Sequence, residues 1–187
     1  MEKCIIFIDG GYLASALRDF GNPKIDHLKF CNYLCGLCDC DVRRVRTYYY
    51  DCLPYQSNPP TPEEKERYSK KQRFMTMLKR LPRFEIKLGR LAKYPKPDGK
   101  YGFEQKKVDI LLSIDLTRVA ISKQIDRVIL VAGDSDFVPA IQVAKDAGAI
   151  TQLVYFPRTV HNELLDACDE RIELSQENIQ KILKNKI

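Results

Sequence analysis

The sequence predicts an α/β fold: a three-layer α/β/α sandwich around a mainly parallel central sheet. Two observations predict it. Short apolar runs of strand length alternate with helix-length segments along the chain, as in stacked β-α-β units. Apolar runs also stop abruptly at carboxylates: Asp9 closes "CIIFIDGG", and Asp134 and Asp136 follow "VILVAG". In a parallel sheet of this kind, ligands bind at the C-terminal ends of the strands.

The elements follow in order. Cys4 to Ile8 reads as a buried strand, followed by a helix from about Tyr12 to Phe20 that Gly21-Asn22-Pro23 ends. Asp26 is placed to cap a second helix running to about Cys38. Val42 to Tyr50, rich in Val, Thr and Tyr, reads as the next strand. Cys52 to Pro62 carries four prolines and is a loop. Thr61 then caps a helix to about Arg80, with Pro62 at its first position and Glu63 and Glu64 in its first turn. Arg83 to Leu91 alternates like a strand, and the Pro- and Gly-containing stretch Ala92 to Gln105 reads as a mobile loop or ribbon. Lys107 to about Ile121 is expected to be helical, Arg127 to Ala132 a fully buried strand, and Asp136 to Ala147 a helix ended by Gly148. Ile150 to Phe156 is a further strand, and one or two short helices follow from Asn162.

A chain of 187 residues suits one domain, 1–187, and 44% hydrophobic residues can build a substantial core. No run resembles a transmembrane span. Strand-like sequence begins almost at Met1, which leaves no room for a signal peptide. The seven cysteines are therefore expected in a reducing, cytoplasmic compartment. The net charge of +6 is uneven. Between Pro54 and Lys107 there are 15 Lys or Arg against 6 Asp or Glu, so the rest of the chain is net acidic. A basic helix-loop segment at about 54–107 would suit a polyanion, or would simply be a solvated helix face.

"VILVAGDSDF" is the sharpest motif. Gly133 permits a tight turn, and Asp134 and Asp136 flank Ser135 just before a helix. Helix capping explains one acidic residue. Two carboxylates at one strand end repel each other, and metal binding or catalysis gives that cost a reason. Asp9 gains weight if its strand neighbours the Arg127–Ala132 strand. Asp109, in "KKVDILLSIDL", shares a helix face with Ser113 and Thr117. Asp115 falls in register with core positions, so it is either a functional group or paired with a base such as Arg118. Cys31, Cys35 and Cys38 fall with Leu28 on one helical stripe, and no second ligand pair accompanies them or Cys40. That favours packing over a zinc site. His27 and His161 have no nucleophile-like neighbours, and "DGG" lacks the lysine of a phosphate-binding loop. Carboxylates gathered at one edge would call for a hard, oxygen-ligated cation, Mg²⁺ or Mn²⁺.

The segments "FIDGGYL", "KLGRL…QKKVDILLSIDL", "VILVAGDSDFVPAIQVAKDAG" and "NELLDACDERIEL" together resemble the NYN domain family, in its LabA-like branch, a relative of the PIN-like nucleases. The resemblance spans nearly the whole chain. It implies a PIN-like sandwich, a Mg²⁺ or Mn²⁺ site, and RNA as substrate. It carries the acidic set onto Asp9, Asp109, Asp134 and Asp136, with Asp115 at a commonly acidic helix position. The family often has Asn two residues after the first Asp-Gly. Here Tyr12 stands in its place.

The expected activity is that of a metal-dependent ribonuclease, an endoribonuclease, that hydrolyses phosphodiester bonds. Asp9, Asp109, Asp134 and Asp136 would serve as catalytic residues and metal ligands. Lys106, Lys107, Tyr12 and Ser135 would touch the nucleic acid, with further contacts from the basic segment and Tyr68, Phe74, Tyr94 and Tyr101. The alternative is an RNA-binding or regulatory module of the same fold with weak or no catalysis. A phosphatase of the haloacid-dehalogenase kind ranks low, because it needs Asp-x-Asp directly after the first strand.

Overall fold

The computed structural model describes residues 1–95 and 101–184, apart from the side chains of 92, 93, 95 and 103–106. Its elements run β1 (Glu2–Asp9), α1 (Gly10–Arg18), α2 (His27–Cys35), β2 (Val42–Asp51), α3 (Pro62–Lys79), β3 (Phe84–Leu88), β4 (Arg90–Pro95), β5 (Tyr101–Lys106) and α4 (Val108–Ile121). They continue with β6 (Arg127–Val131), a 3₁₀ turn at Ser135–Phe137, α5 (Val138–Asp146), β7 (Ile150–Tyr155), α6 (Asn162–Ala167), β8 (Glu170–Glu173) and α7 (Gln176–Lys181).

Six strands form one sheet in the order β3-β2-β1-β6-β7-β8, and every pairing in it is parallel. β1 lies between β2 and β6, and its central run Cys4–Ile8 is buried throughout. Ile6, Phe7 and Ile8 are completely buried, which contributes about 2 kcal/mol apiece. α1, α2, α3 and α7 bury Leu17, Leu34, Leu78 and Ile179 on one face of the sheet. α4, α5 and α6 bury Leu112, Ile141 and Leu164 on the other. The three layers follow from strands that are apolar on both sides.

Local chemistry sets the helix starts. Asp26 accepts the Leu28 and Lys29 N–H groups, and Thr61 forms a reciprocal capping box with Glu64. Several boundaries differ from expectation. α2 stops at Cys35, and α5 begins only after the 3₁₀ turn. The stretch expected as one strand over Arg83 to Leu91 divides at Gly89, whose N–H bonds the Asp51 carbonyl. β3 joins the main sheet, while β4 turns away to pair with β5 as an antiparallel ribbon. Residues 96–100, part of the expected mobile stretch, lie outside the described residues. β8 was not anticipated: four residues with one alternating face read weakly between two helices.

The cysteine stripe packs inward. Cys31 is fully buried and accepts the Thr47 hydroxyl, Cys35 Sγ lies 3.7 Å from Cys4 Sγ, and Cys38 Sγ donates to Gln152 Oε1 at 3.2 Å. All seven cysteines are free thiols. Among the described residues, no helix is long and apolar enough to cross a membrane.

Candidate functional site

β1 and β6 are direct neighbours. The chain leaves β1 into α1 on one face of the sheet and leaves β6 into α5 on the other. The strand order therefore reverses between them, and a crevice opens at their C-terminal ends. Asp9 ends β1 on one side of it, and Gly133-Asp134 follows β6 on the other. A cavity of about 330 Å³ lies there, lined by Asp9, Tyr12, Gly133, Asp134, Thr159 and His161 among others.

Each side chain is placed by a local device. Asp9 caps α1, its carboxylate accepting the Tyr12 N–H at 3.0 Å. Asp134 caps the 3₁₀ turn by accepting the Asp136 N–H at 3.1 Å. Capping thus accounts for Asp9 and Asp134 locally, yet their charges face one crevice. Gly133 does not adopt a positive φ, so the turn alone does not demand it. The constraint is space: a Cβ there would sit 2.2 Å from the Thr159 carbonyl oxygen and 2.4 Å from the Tyr12 ring.

Asp109 comes from the first turn of α4. Lys107, in the left-handed region at φ 74°, turns the chain from β5 into this helix. A second cavity, of about 510 Å³, is lined by Asp109, Ser113, Ser135, Asp136 and Glu163. Electrostatics join the two cavities. Burial first, then the charges of Asp109 and Asp51, push the Asp9 carboxyl up to about 6, although N–H groups of Tyr12 and Gly11 act against this. Burial, then Asp134 and Asp136, raises Asp109 as well. All four expected carboxylates therefore belong to one electrostatic cluster. Among the described residues, however, no three His, Cys, Asp or Glu side chains converge closely enough to hold one ion as they stand.

Asp115 is engaged elsewhere and is no part of this cluster. It is buried, accepts the Tyr50 hydroxyl at 3.0 Å, and pairs with Arg118 at 3.1 Å and Lys87 at 3.7 Å. Of the two readings open for it, pairing with a base is the one observed. Tyr12, expected to touch nucleic acid, spends its hydroxyl inside the protein. That oxygen accepts the Phe156 N–H at 3.0 Å and lies 2.8 Å from Thr159 Oγ1. Tyr12 braces the 156–159 loop against α1. Ser135 lines the Asp109–Asp136 cavity. Lys107 is exposed beside Asp109, whereas the side chain of Lys106 lies outside the described residues.

Sequence reasoning missed Asp51, Lys71, Thr159, His161 and Glu163. Asp51 ends β2 one step beyond Tyr50, which is paired with Asp9. It is 2% exposed and held by Lys71 Nζ at 2.5 Å. An acidic residue ending "TYYYD" was a signal of the same kind as Asp9. His161 had no sequence neighbour to mark it; its N–H bonds the Gly133 carbonyl at 2.9 Å, which ties it to the crevice.

The profile of the NYN domain matches residues 3–175. This chain belongs to the NYN domain family. That places it in the PIN-like nuclease superfamily. An uncharacterized protein of Methanocaldococcus jannaschii is 30% identical to this NYN chain over 95 residues, which are 46% of the chain and 40% of that protein. The chain thus matches less than half the length of that relative. The crystal structure of a protein of unknown function from Vibrio parahaemolyticus shares the fold, with a TM-score of 0.67 at 20% identity over 98% of this chain and 96% of that one.

Proposed function

We propose that this NYN chain is a metal-dependent ribonuclease that hydrolyses phosphodiester bonds at the β1–β6 crevice. One observation carries the reading. Asp9, Asp109, Asp134 and Asp136 come from three separate stretches of chain to one sheet edge, where burial and neighbouring carboxylates make Asp9 and Asp109 harder to ionise. Such a cluster is costly unless a cation or a reaction uses it.

The donor set fits Mg²⁺ or Mn²⁺. It is all hard oxygen, and it does not form a closed protein cage. Mg²⁺ commonly takes only one or two carboxylates and completes its shell with water and substrate phosphate. Asp9 and Asp134 would hold an ion from the crevice walls, with Asp109 and Asp136 adding negative charge from the adjoining cavity. A bound ion would acidify a water and offset charge on the phosphoryl oxygens. Tyr12 and Thr159 fix the crevice wall. An imidazole at His161 can pass a proton to a departing oxygen. Lys107 beside Asp109 can hold a backbone phosphate. A cytoplasmic location belongs to the same proposal, and seven free thiols are compatible with it.

The test is purified protein on labelled single-stranded RNA with Mg²⁺ or Mn²⁺, beside Asp134→Asn and an EDTA control. Cleavage should fall at least ~100-fold in both, the size of effect expected when a group stabilising transition-state charge is removed. Cleavage that survives Asp134→Asn would sink the site assignment. Among the described residues no three such side chains converge, and that favours one second reading, an RNA-binding module with little catalysis. Salt-dependent RNA binding without turnover would establish that reading instead.

A further inference from the structure

On the α4 face of the sheet, the helix packs over β1, β2 and β3. Beside its C-terminal half an open groove of about 1050 Å³ remains, at the opposite end of α4 from Asp109. Six cations line it: Lys3, Arg43, Arg46, Lys87, Arg118 and Lys123. They come from β1, β2, β3, α4 and the turn after α4. Only Lys87 belongs to the basic stretch 54–107.

The carboxylates on hand are too few to neutralise them. Glu85 bridges Arg46 at 3.0 Å and Lys87 at 3.1 Å. Asp115 serves Arg118 and, more distantly, Lys87. Asp126 flanks the groove, its carboxylate accepting the Lys3 N–H. Among the described residues, Lys3, Arg43 and Lys123 make no ion pair. A β-bulge gives the groove its second arginine. The register of β1 against β2 slips between Cys4 and Ile5, skipping Val45. Without the slip, Arg43 and Arg46 would face opposite sides of the sheet. With it, Arg43, Val45, Arg46 and Tyr48 all line one groove, while Arg44 turns to the other face under Phe84 and bonds Thr47. Glu85 holds Arg46 and Lys87 at set positions, so less side-chain freedom remains to be lost when an anion docks.

We propose that this groove is an RNA-backbone subsite, which holds phosphates of the strand whose scissile bond lies at the carboxylate edge. The proposal rests on the nuclease reading for its substrate class. Charge excess over a concave, polar-lined surface selects a polyanion. Arg118 lies nine positions after Asp109 on α4, about 14 Å along the helix axis. A stacked strand rising 3.4 Å per nucleotide spans that gap with roughly four nucleotides. RNA longer than this would engage both ends of α4, and shorter RNA only one.

The experiment measures anisotropy of a labelled 20-nucleotide single-stranded RNA against KCl concentration, using the full chain with Asp134→Asn as background so that cleavage cannot interfere. Arg43→Ala/Lys123→Ala changes two exposed side chains, and a thermal melt confirms that the variant folds. Losing two phosphate contacts should weaken binding about tenfold or more at low salt and lower the salt slope by about 1.4. In the otherwise wild-type enzyme, the same pair should raise KM for the 20-mer and leave cleavage of a trinucleotide unchanged. Absence of any cleavage would sink the nuclease reading, while the anisotropy result would still decide the groove. An unchanged slope would overturn the proposal. So would a slope that responds only to Arg67→Glu/Lys70→Glu on α3, which would move the RNA to that helix.

Discussion

The two ends of α4 stand in contrast. At its N-terminus, Asp109 joins Asp9, Asp134 and Asp136, and burial makes Asp9 and Asp109 reluctant to ionise. At its C-terminus, cations gather on an open surface, partly offset by Glu85 and Asp115. The difference is solvent. At the acidic edge Asp9 and Asp109 are half-buried, and their like charges raise the free energy of the fold, although Asp134 and Asp136 reach solvent. Like charges on an exposed wall are screened and cost little. Stability should therefore respond strongly to the charges of the acidic edge and weakly to those of the groove.

The largest expected effect tests the one neutralised carboxylate of that edge. Lys71→Met leaves Asp51 buried with no cation, and should lower the unfolding free energy by about 3 kcal/mol. Adding Asp51→Asn to that variant should restore most of the loss in chemical denaturation. A Lys71→Met protein as stable as the wild type would break the contrast at its stronger end.

Asp9→Asn comes next. The amide oxygen can still cap α1, so the change removes charge and little else. The Asp9 carboxyl is raised in the folded chain, so the native state binds the proton more tightly than the unfolded one. Wild-type stability from this group therefore falls as pH rises from about 4 through about 6, then levels off. The metal-free variant should gain about 2 kcal/mol at pH 8, after allowance for partial solvent screening, and nothing at pH 3.5. A gain independent of pH would show that charge was not the cause. The smallest effect belongs to the groove: Glu85→Gln removes two partly exposed pairs and should shift stability by less than about 1 kcal/mol in a thermal melt.

The same contrast separates what could be read in advance. Asp9, Asp134 and Asp136 were legible because each follows an apolar run within a few residues, and strand ends of a parallel sheet share one edge. Asp51 carried the same signal, and a run ending "TYYYD" followed by a proline-rich loop obscured it. The strand Arg83 to Leu91 was misjudged because alternation cannot say where a chain changes partners. Only the neighbours of Gly89 decide that. Asp115 stood between two readings until Tyr50, Lys87 and Arg118 were seen around it.

By itself, the sequence determined the alternation of strands and helices, the caps at Asp26 and Thr61, and the family, and it marked Asp9, Asp134 and Asp136 as carboxylates that follow apolar strands. These depend on interactions a few residues long or on a shared pattern. Tertiary structure alone decided the β1–β6 adjacency, the engagement of Tyr12 with the 156–159 loop, and the convergence of Lys3, Arg43, Arg46, Arg118 and Lys123 on one wall. Those depend on strand order and on a single-residue bulge, and contacts between distant segments leave no local trace in a sequence.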